Sequence, residues 1–295
     1  MEKKKVLIIG SGVAGLTSAI YLSRYNFETK VLTGYGYGSL SETPLVENFP
    51  GFPDGISGLQ LLENMENQAI KFGTEIIHTS AEKIDFKRSV VLDDSGDEFS
   101  YDYLVIATGS TPKRLEIEGT KECKNNIHYC ATCDGRMYKD KRVVVIGGGD
   151  TAITEALYLS EIAKSVTMIV RRNVWRGTPK LVEKIEKTSN INLQMGSTVK
   201  KLIKNENEIC IKLNEKDEEI ITDGIFVSIG STPNSSLFYS EYVKHGLDPL
   251  DPMKINFNNV WVCGDCLYNK YRQAIVSAGE GAKVAIDIFK ESQEK

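Results

Sequence analysis

Short apolar runs that end in glycine alternate along this chain with longer stretches whose apolar residues fall on one helical face. "KVLIIG" (5–10) has the length and content of a buried strand. It enters the turn "GSGVAG" (10–15), "LTSAIYLSRY" then follows with helical periodicity, and "TKVLT" (29–33) is the next strand. The whole is a β-α-β unit of about thirty residues. The pattern recurs: "RVVVIG" (142–147) is a strand, "GGGDTA" (147–152) the turn, "ITEALYLSEIA" a helix and "SVTMIV" (165–170) the following strand. Each copy also closes alike, with "LVIATGSTPKRL" (104–115) matched by "IFVSIGSTPNSSL" (225–237). Two start signals and two matching end signals make an internal repeat.

A glycine turn between a strand and a helix, inside such a unit, is the setting that gives G-x-G-x-x-G its meaning. Glycine permits the tight turn, and a pyrophosphate sits on the helix N-terminus. The expectation is an α/β fold of two Rossmann-like dinucleotide-binding domains, each a three-layer ββα arrangement, one inserted into the other. The outer domain comprises 1–113 and 232–295, the inner one 114–231, and the Gly-Ser-Thr-Pro crossings read as hinge material. The two nucleotides separate at the end of the second strand. After "SVTMIV" come Arg171, Arg172 and Arg176, with no acid nearby, and guanidinium groups match the 2′-phosphate of NADPH. After "TKVLT", Thr33 stands where an acid often meets a ribose.

Charge and composition narrow the field. Of 295 residues, 41% are hydrophobic and 26% charged, an ordinary globular balance, and a net charge of −4 argues against a nucleic-acid surface. "VKKLIK" (199–204) reads as a solvated strand face. The basic start followed by an apolar run imitates a secretion signal, but Gly10, Gly12 and Gly15 interrupt it and no A-x-A-like cleavage site follows. No run approaches the roughly 18 apolar residues of a membrane span. The expectation is a cytoplasmic protein.

Six cysteines include two C-x-x-C pairs, Cys130/Cys133 and Cys263/Cys266. Such a pair can be a redox dithiol, a disulfide staple or half of a zinc site. Zinc would need all four, since His78, His128 and His245 have no ligand spacing. Cys263/Cys266 fits a second dithiol or a pair of small buried residues. A dithiol at a helix N-terminus gains thiolate character. Asp134, next to Cys133, fits either a proton donor or an N-terminal helix cap. His128 reads as a surface or packing histidine, and Trp175 as packing over a cofactor edge.

"GSGVAG", "VENFPGF", "ATGSTP", "CATCDG", "GGGDTA", "RRNVWR", "GD" and "YRQA" occur in the order found in the low-molecular-weight thioredoxin reductases, which this chain resembles nearly end to end. The resemblance implies FAD in the outer domain, NADPH in the inner one, thioredoxin as partner and a homodimer. It places Gly10, Ser11, Gly12, Val13, Ala14 and Gly15 at the FAD pyrophosphate, and Asn48 at the flavin. Ile84 would meet the adenine, Asp265 the ribityl chain, and Arg272, Gln273 and Ala274 the ring region. Gly147, Gly149, Asp150 and Thr151 join the arginines around NADPH. Cys133 would lie against the flavin, Cys130 would attack thioredoxin and Asp134 would shuttle the proton.

Several positions depart from the family. Ser39 stands in "YGSL" for a flavin-contacting glutamine. "VRRNVWR" lacks the leading histidine, and Arg136 and Met137 replace aromatic residues after C-A-T-C-D-G. Two rivals follow: a flavoprotein reductase of another protein disulfide, such as a peroxiredoxin or glutaredoxin-like partner, and a redox-sensing flavoprotein without turnover.

Overall fold

A computed structural model describes residues 3–43, 45–206, 208–215, 217–248, 251–255, 259–267 and 271–294, with backbone alone at 132–133, 247–248 and 251–252. The chain divides into two compact units, Met1–Thr111 with Pro233–Lys295, and Pro112–Thr232.

In the first unit, strands Glu75–Ile77, Glu28–Leu32, Lys5–Ile9, Tyr103–Ile106 and Val260–Val262 pair in that order, all parallel. Asp251–Ile255 and Leu247–Asp248 extend the edge antiparallel. Side chains alternate across a strand, so each faces one of two cores. Val6 and Ile8 meet helices Val13–Arg24, Gly58–Lys71 and Ala274–Glu294 through Leu16, Leu62 and Val284. Leu7 and Ile9 face the other way, onto Ile84 and Val91 of the antiparallel meander Ala81–Asp85, Val90–Asp93 and Glu98–Ser100. Meander, sheet and helices make three layers, and a fully buried Leu or Ile in them stabilises by about 1.5–3 kcal/mol.

The second unit repeats the plan at smaller size. Strands Ile191–Met195, Ser165–Val170, Arg142–Ile146, Gly224–Val227 and Ile127–His128 form a parallel sheet. Val143, Val145 and Met168 pack on Ala152, Ala156 and Leu159 of helix Asp150–Ser160. Val144, Ile146 and Ile169 pack on Leu202, Ile209 and Ile211 of the meander Val199–Asn205, Glu208–Leu213 and Glu219–Thr222. In Val199–Asn205 the apolar positions turn inward, while Lys204 Nζ reaches Asn126 Oδ1 at 2.8 Å.

The chain passes between units through Ser110–Pro112 and Ser231–Pro233, which pair as a two-stranded ribbon. Gly109 and Gly230 take positive φ values of 66° and 107° there, a region open to glycine. Among the described residues no helix is long and apolar enough to cross a membrane.

Candidate functional site

In the first unit, the turn after Lys5–Ile9 is built by close approach on one side and openness on the other. Gly10 has φ 106°, and a Cβ there would stand 2.3 Å from the Ala107 carbonyl oxygen. Gly12 opens helix Val13–Arg24, and a Cβ on it would meet nothing within 4 Å. The first-turn amides of a twelve-residue helix therefore lie beside free space, with no acid in that turn. That is the cradle an anionic pyrophosphate needs. Ser11, Val13, Ala14 and Gly15 are buried beneath it.

The segments that carry Ser39 and Asp265 abut this turn. Gly38 leans on it, since a Cβ there would lie 3.1 Å from the Gly12 Cα, and Ser39 begins an exposed 3-10 turn. Gly264 backs onto Ala14, and its N–H donates to Glu280 Oε2 at 2.7 Å. This seats Asp265, whose carboxyl burial pushes up from the ordinary carboxylate range, against the opposing pull of Arg272 and of the Ser277 and Ser110 hydroxyls. Asn48 Nδ2 donates to Gln273 Oε1 at 3.0 Å, joining two residues far apart in sequence just before helix Ala274–Glu294. Ile84 buries its side chain with Leu7, Ile9 and Leu32 between sheet and meander.

In the second unit, Gly147 plays the part of Gly10, and a Cβ on it would meet the Ser228 carbonyl oxygen at 2.3 Å. Gly149 is open like Gly12 and precedes helix Asp150–Ser160. The arginine loop is latched to this turn. The Arg176 N–H donates to Gly148 O at 3.0 Å, and the Thr178 N–H to Asp150 Oδ1 at 2.6 Å. Arg171, Arg172 and Arg176 are exposed, as is Thr151, and among the described residues no acid pairs with the three guanidinium groups. Trp175 packs against the helix-side core and donates to Glu186 Oε1 at 3.2 Å.

The cysteine segment belongs to the same unit. Cys130 is buried and disulfide-bonded, whereas Cys123, Cys210, Cys263 and Cys266 are buried free thiols. The side chain of Cys133 lies outside the described residues. Ala131–Asp134 is helical for four residues only. One turn aligns few peptide dipoles, so the thiolate support expected from a helix N-terminus is slight. The Ala131 N–H instead approaches Glu155 Oε1 at 3.4 Å, and Glu155 Oε2 accepts from the Ser228 hydroxyl. Glu155, from helix Asp150–Ser160, thus ties the cysteine segment to the strand that ends at Val227. An acid one turn beyond "GGGDTA", among the apolar residues of that helix, was its sequence signal.

Asp134 ends the helical turn and stands at the N-cap position of the 3-10 turn Gly135–Tyr138, but its side chain makes no capping hydrogen bond there. Its Oδ2 lies 2.8 Å from His128 Nδ1, and His128 Nε2 lies 2.7 Å from the Tyr138 hydroxyl. His128 is 8% exposed, its ring stacked on Phe226 with centroids 5.2 Å apart, so it is not a surface residue. Burial also raises the Tyr138 hydroxyl above its ordinary range. Cys263 and Cys266 are sealed in the first unit, with burial raising both thiols. Among the described residues no cluster of metal-ligating side chains forms.

Comparison with known proteins follows the same lines. A family profile described as pyridine nucleotide-disulphide oxidoreductase matches residues 4–281. Thioredoxin reductase of Escherichia coli O157:H7 is 36% identical over 97% of this chain and 95% of its own length. A Pseudomonas fluorescens protein named glucosaminate ammonia-lyase is 35% identical over 97% and 95%. Among solved structures, Lactococcus lactis thioredoxin reductase in its FR conformation superposes with a TM-score of 0.90 at 30% identity, covering 99% of this chain and 100% of the other.

Proposed function

The chain belongs to the pyridine nucleotide-disulphide oxidoreductases, within the low-molecular-weight thioredoxin reductases, and on that premise we propose that it reduces the disulfide of thioredoxin with electrons from NADPH, through FAD and the Cys130/Cys133 pair. One observation carries this reading. The unit holding the disulfide-bonded Cys130 also holds a second open glycine turn, and the loop latched beside it carries three arginines that no acid pairs with among the described residues. An ammonia-lyase reaction transfers no net electrons and leaves such a pair without a task.

The residues divide the work. The backbone around Gly12 receives the FAD pyrophosphate, Asp265 the ribityl chain, and the Asn48–Gln273 pair the ring end. FAD, when bound, accepts a hydride and passes its electron pair to a disulfide. Gly149 and the helix it opens receive the NADPH pyrophosphate, and Arg171, Arg172 and Arg176 select the 2′-phosphate. Glu155 holds the Ala131 amide and so fixes where the cysteine turn begins. Asp134 supplies a proton to the sulfur that leaves in thiol–disulfide exchange. We further propose a homodimer working in the cytoplasm, a reducing setting that suits four free thiols beside one exchangeable pair.

Cys130→Ser tests the reading. The variant should lose all thioredoxin reduction, while anaerobic NADPH still bleaches its flavin absorbance. Thioredoxin reduction persisting at even a tenth of the original rate would place the exchange elsewhere.

A further inference from the structure

The structure contains a hydrogen-bonded chain that neither the family resemblance nor the reaction scheme assigns. His128 stands between Asp134 and Tyr138, at 2.8 Å from one and 2.7 Å from the other. A buried histidine with both ring nitrogens engaged is held in orientation as well as in place. The strand Ile127–His128 sets its backbone beside Phe226 by parallel pairing, and the Phe226 ring covers one face of the imidazole. Tyr138, edge-on to both rings, closes the far side.

We propose that His128 is a positioning residue and proton reservoir for Asp134, so that the proton delivered to the cysteine pair comes from His128 Nδ1 through the Asp134 carboxylate while Tyr138 holds Nε2. This rests on the reading of Asp134 as the donor in thiol–disulfide exchange. The balance supports a reservoir. NADPH brings one hydride, the product dithiol carries two hydrogens, and one proton enters from solvent in each turnover. When a sulfur–sulfur bond breaks under thiolate attack, the departing thiolate takes a proton that His128 Nδ1 hands to the Asp134 carboxylate and the carboxyl group hands on. The ring is left neutral with its remaining proton on Nε2, against the Tyr138 oxygen, and regains the lost one at Nδ1 from solvent through Asp134, whose side chain is 37% exposed.

The two unloaded and loaded states fit the same heavy-atom positions. Loaded, the imidazolium donates from Nδ1 to the Asp134 carboxylate and from Nε2 to the Tyr138 oxygen. Unloaded, Nε2–H still donates to the Tyr138 oxygen while Nδ1 stands bare beside Asp134, ready to be reprotonated. No side chain has to rotate away between them. Among the described residues the ionisable groups facing the ring are Asp134 and Tyr138, and Phe226 contributes no charge. Tyr138 itself is influenced by Asp223 and Asn126, with the Lys141 ammonium 5.6 Å from its ring centroid.

The test compares His128→Asn, Asp134→Asn and Tyr138→Phe in the FAD-loaded protein, by thioredoxin reduction between pH 6 and 9 and by anaerobic flavin bleaching. Asparagine at 128 can still donate to Asp134 but cannot take up a proton. His128→Asn should slow thioredoxin reduction at least about 10-fold and move the alkaline fall of the rate to lower pH, with bleaching by NADPH within twofold. A uniform loss with an unmoved pH profile, or no loss, would overturn the proposal while leaving Asp134 as donor. No loss in Asp134→Asn would overturn the donor reading and the relay together. Nitrogen NMR of the ring gives an independent readout. With three histidines in the chain, the resonances absent from His128→Asn belong to His128. At the pH of fastest turnover both ring nitrogens should carry protons, and Asp134→Asn, which removes the facing negative charge, should lower the pH at which one is lost. A ring already neutral at that pH would contradict the reservoir.

Discussion

The two glycine turns share a plan and differ in how tightly their helices are seated. In the first unit the third glycine, Gly15, lies so close to the strand end that a Cβ would stand 1.9 Å from the Gly10 carbonyl oxygen. Helix Ala274–Glu294 presses on the same helix from behind, where a Cβ on Gly281 would meet the Ala14 carbonyl oxygen at 2.2 Å. In the second unit the equivalent of Gly15 is Ala152, a fully buried residue that packs without such a clash. The first turn is locked by backbone contacts on both sides. The second leaves room for one methyl, and its distinctive chemistry lies in side chains placed around the turn.

The largest effect expected from this difference is at Gly15. Gly15→Ala must displace backbone rather than a side-chain tip, so it should cost about 3 kcal/mol or more and abolish FAD retention. Flavin absorbance after gel filtration, with a thermal melt, checks this. The arginines of the second unit should come next. Hydrogen bonds to a charged group are worth about 1.5–3 kcal/mol, so Arg171→Ala with Arg172→Ala should raise the NADPH requirement about 100-fold. The NADH requirement should be unchanged, and anaerobic titration with each nucleotide measures both. Ala152→Gly, the converse of the first change, should be mild. Adding glycine to a helix costs about 1 kcal/mol, and calorimetry should find NADPH affinity within a few-fold of the original.

The smallest effect concerns Asp265. Burial raises its carboxyl above the unfolded value of 3.8, so the folded apoprotein binds this proton more tightly than the unfolded chain. The group's contribution is full below that value and is lost as pH rises through the raised one. Asp265→Asn removes the loss, and melting curves of the apoprotein should then fall less between pH 4 and 7. A steeper fall would reverse the sign.

Reading the chain by pattern reached the repeated units because each strand is a short apolar run ending at glycine, and both cores follow from that alternation. The division between units runs through the two "GSTP" segments for the same reason: a strand ends there and Gly109 or Gly230 turns the chain. Contacts made across long sequence separations left no local mark. Asn48 and Gln273 are 225 residues apart, and nothing near either announces the hydrogen bond between them. The latch from Arg176 to Gly148 is a backbone bond, invisible in side-chain identity. Of the two readings of His128, packing holds and surface does not, and the choice between them depends on pairing with Phe226, which local pattern does not reveal. The helix N-terminus that the sequence suggests at the dithiol has only one turn behind it, since the helix ends at Asp134, where a 3-10 turn takes over.

The most direct measurement is an anaerobic titration of the FAD-loaded protein with NADPH, followed by addition of oxidised thioredoxin, with the flavin spectrum recorded throughout. NADPH should bleach the yellow colour at far lower concentration than NADH, and thioredoxin should restore it. A flavin that NADPH leaves oxidised, or one that thioredoxin cannot reoxidise, would contradict the path from the arginine-lined turn to the cysteine pair.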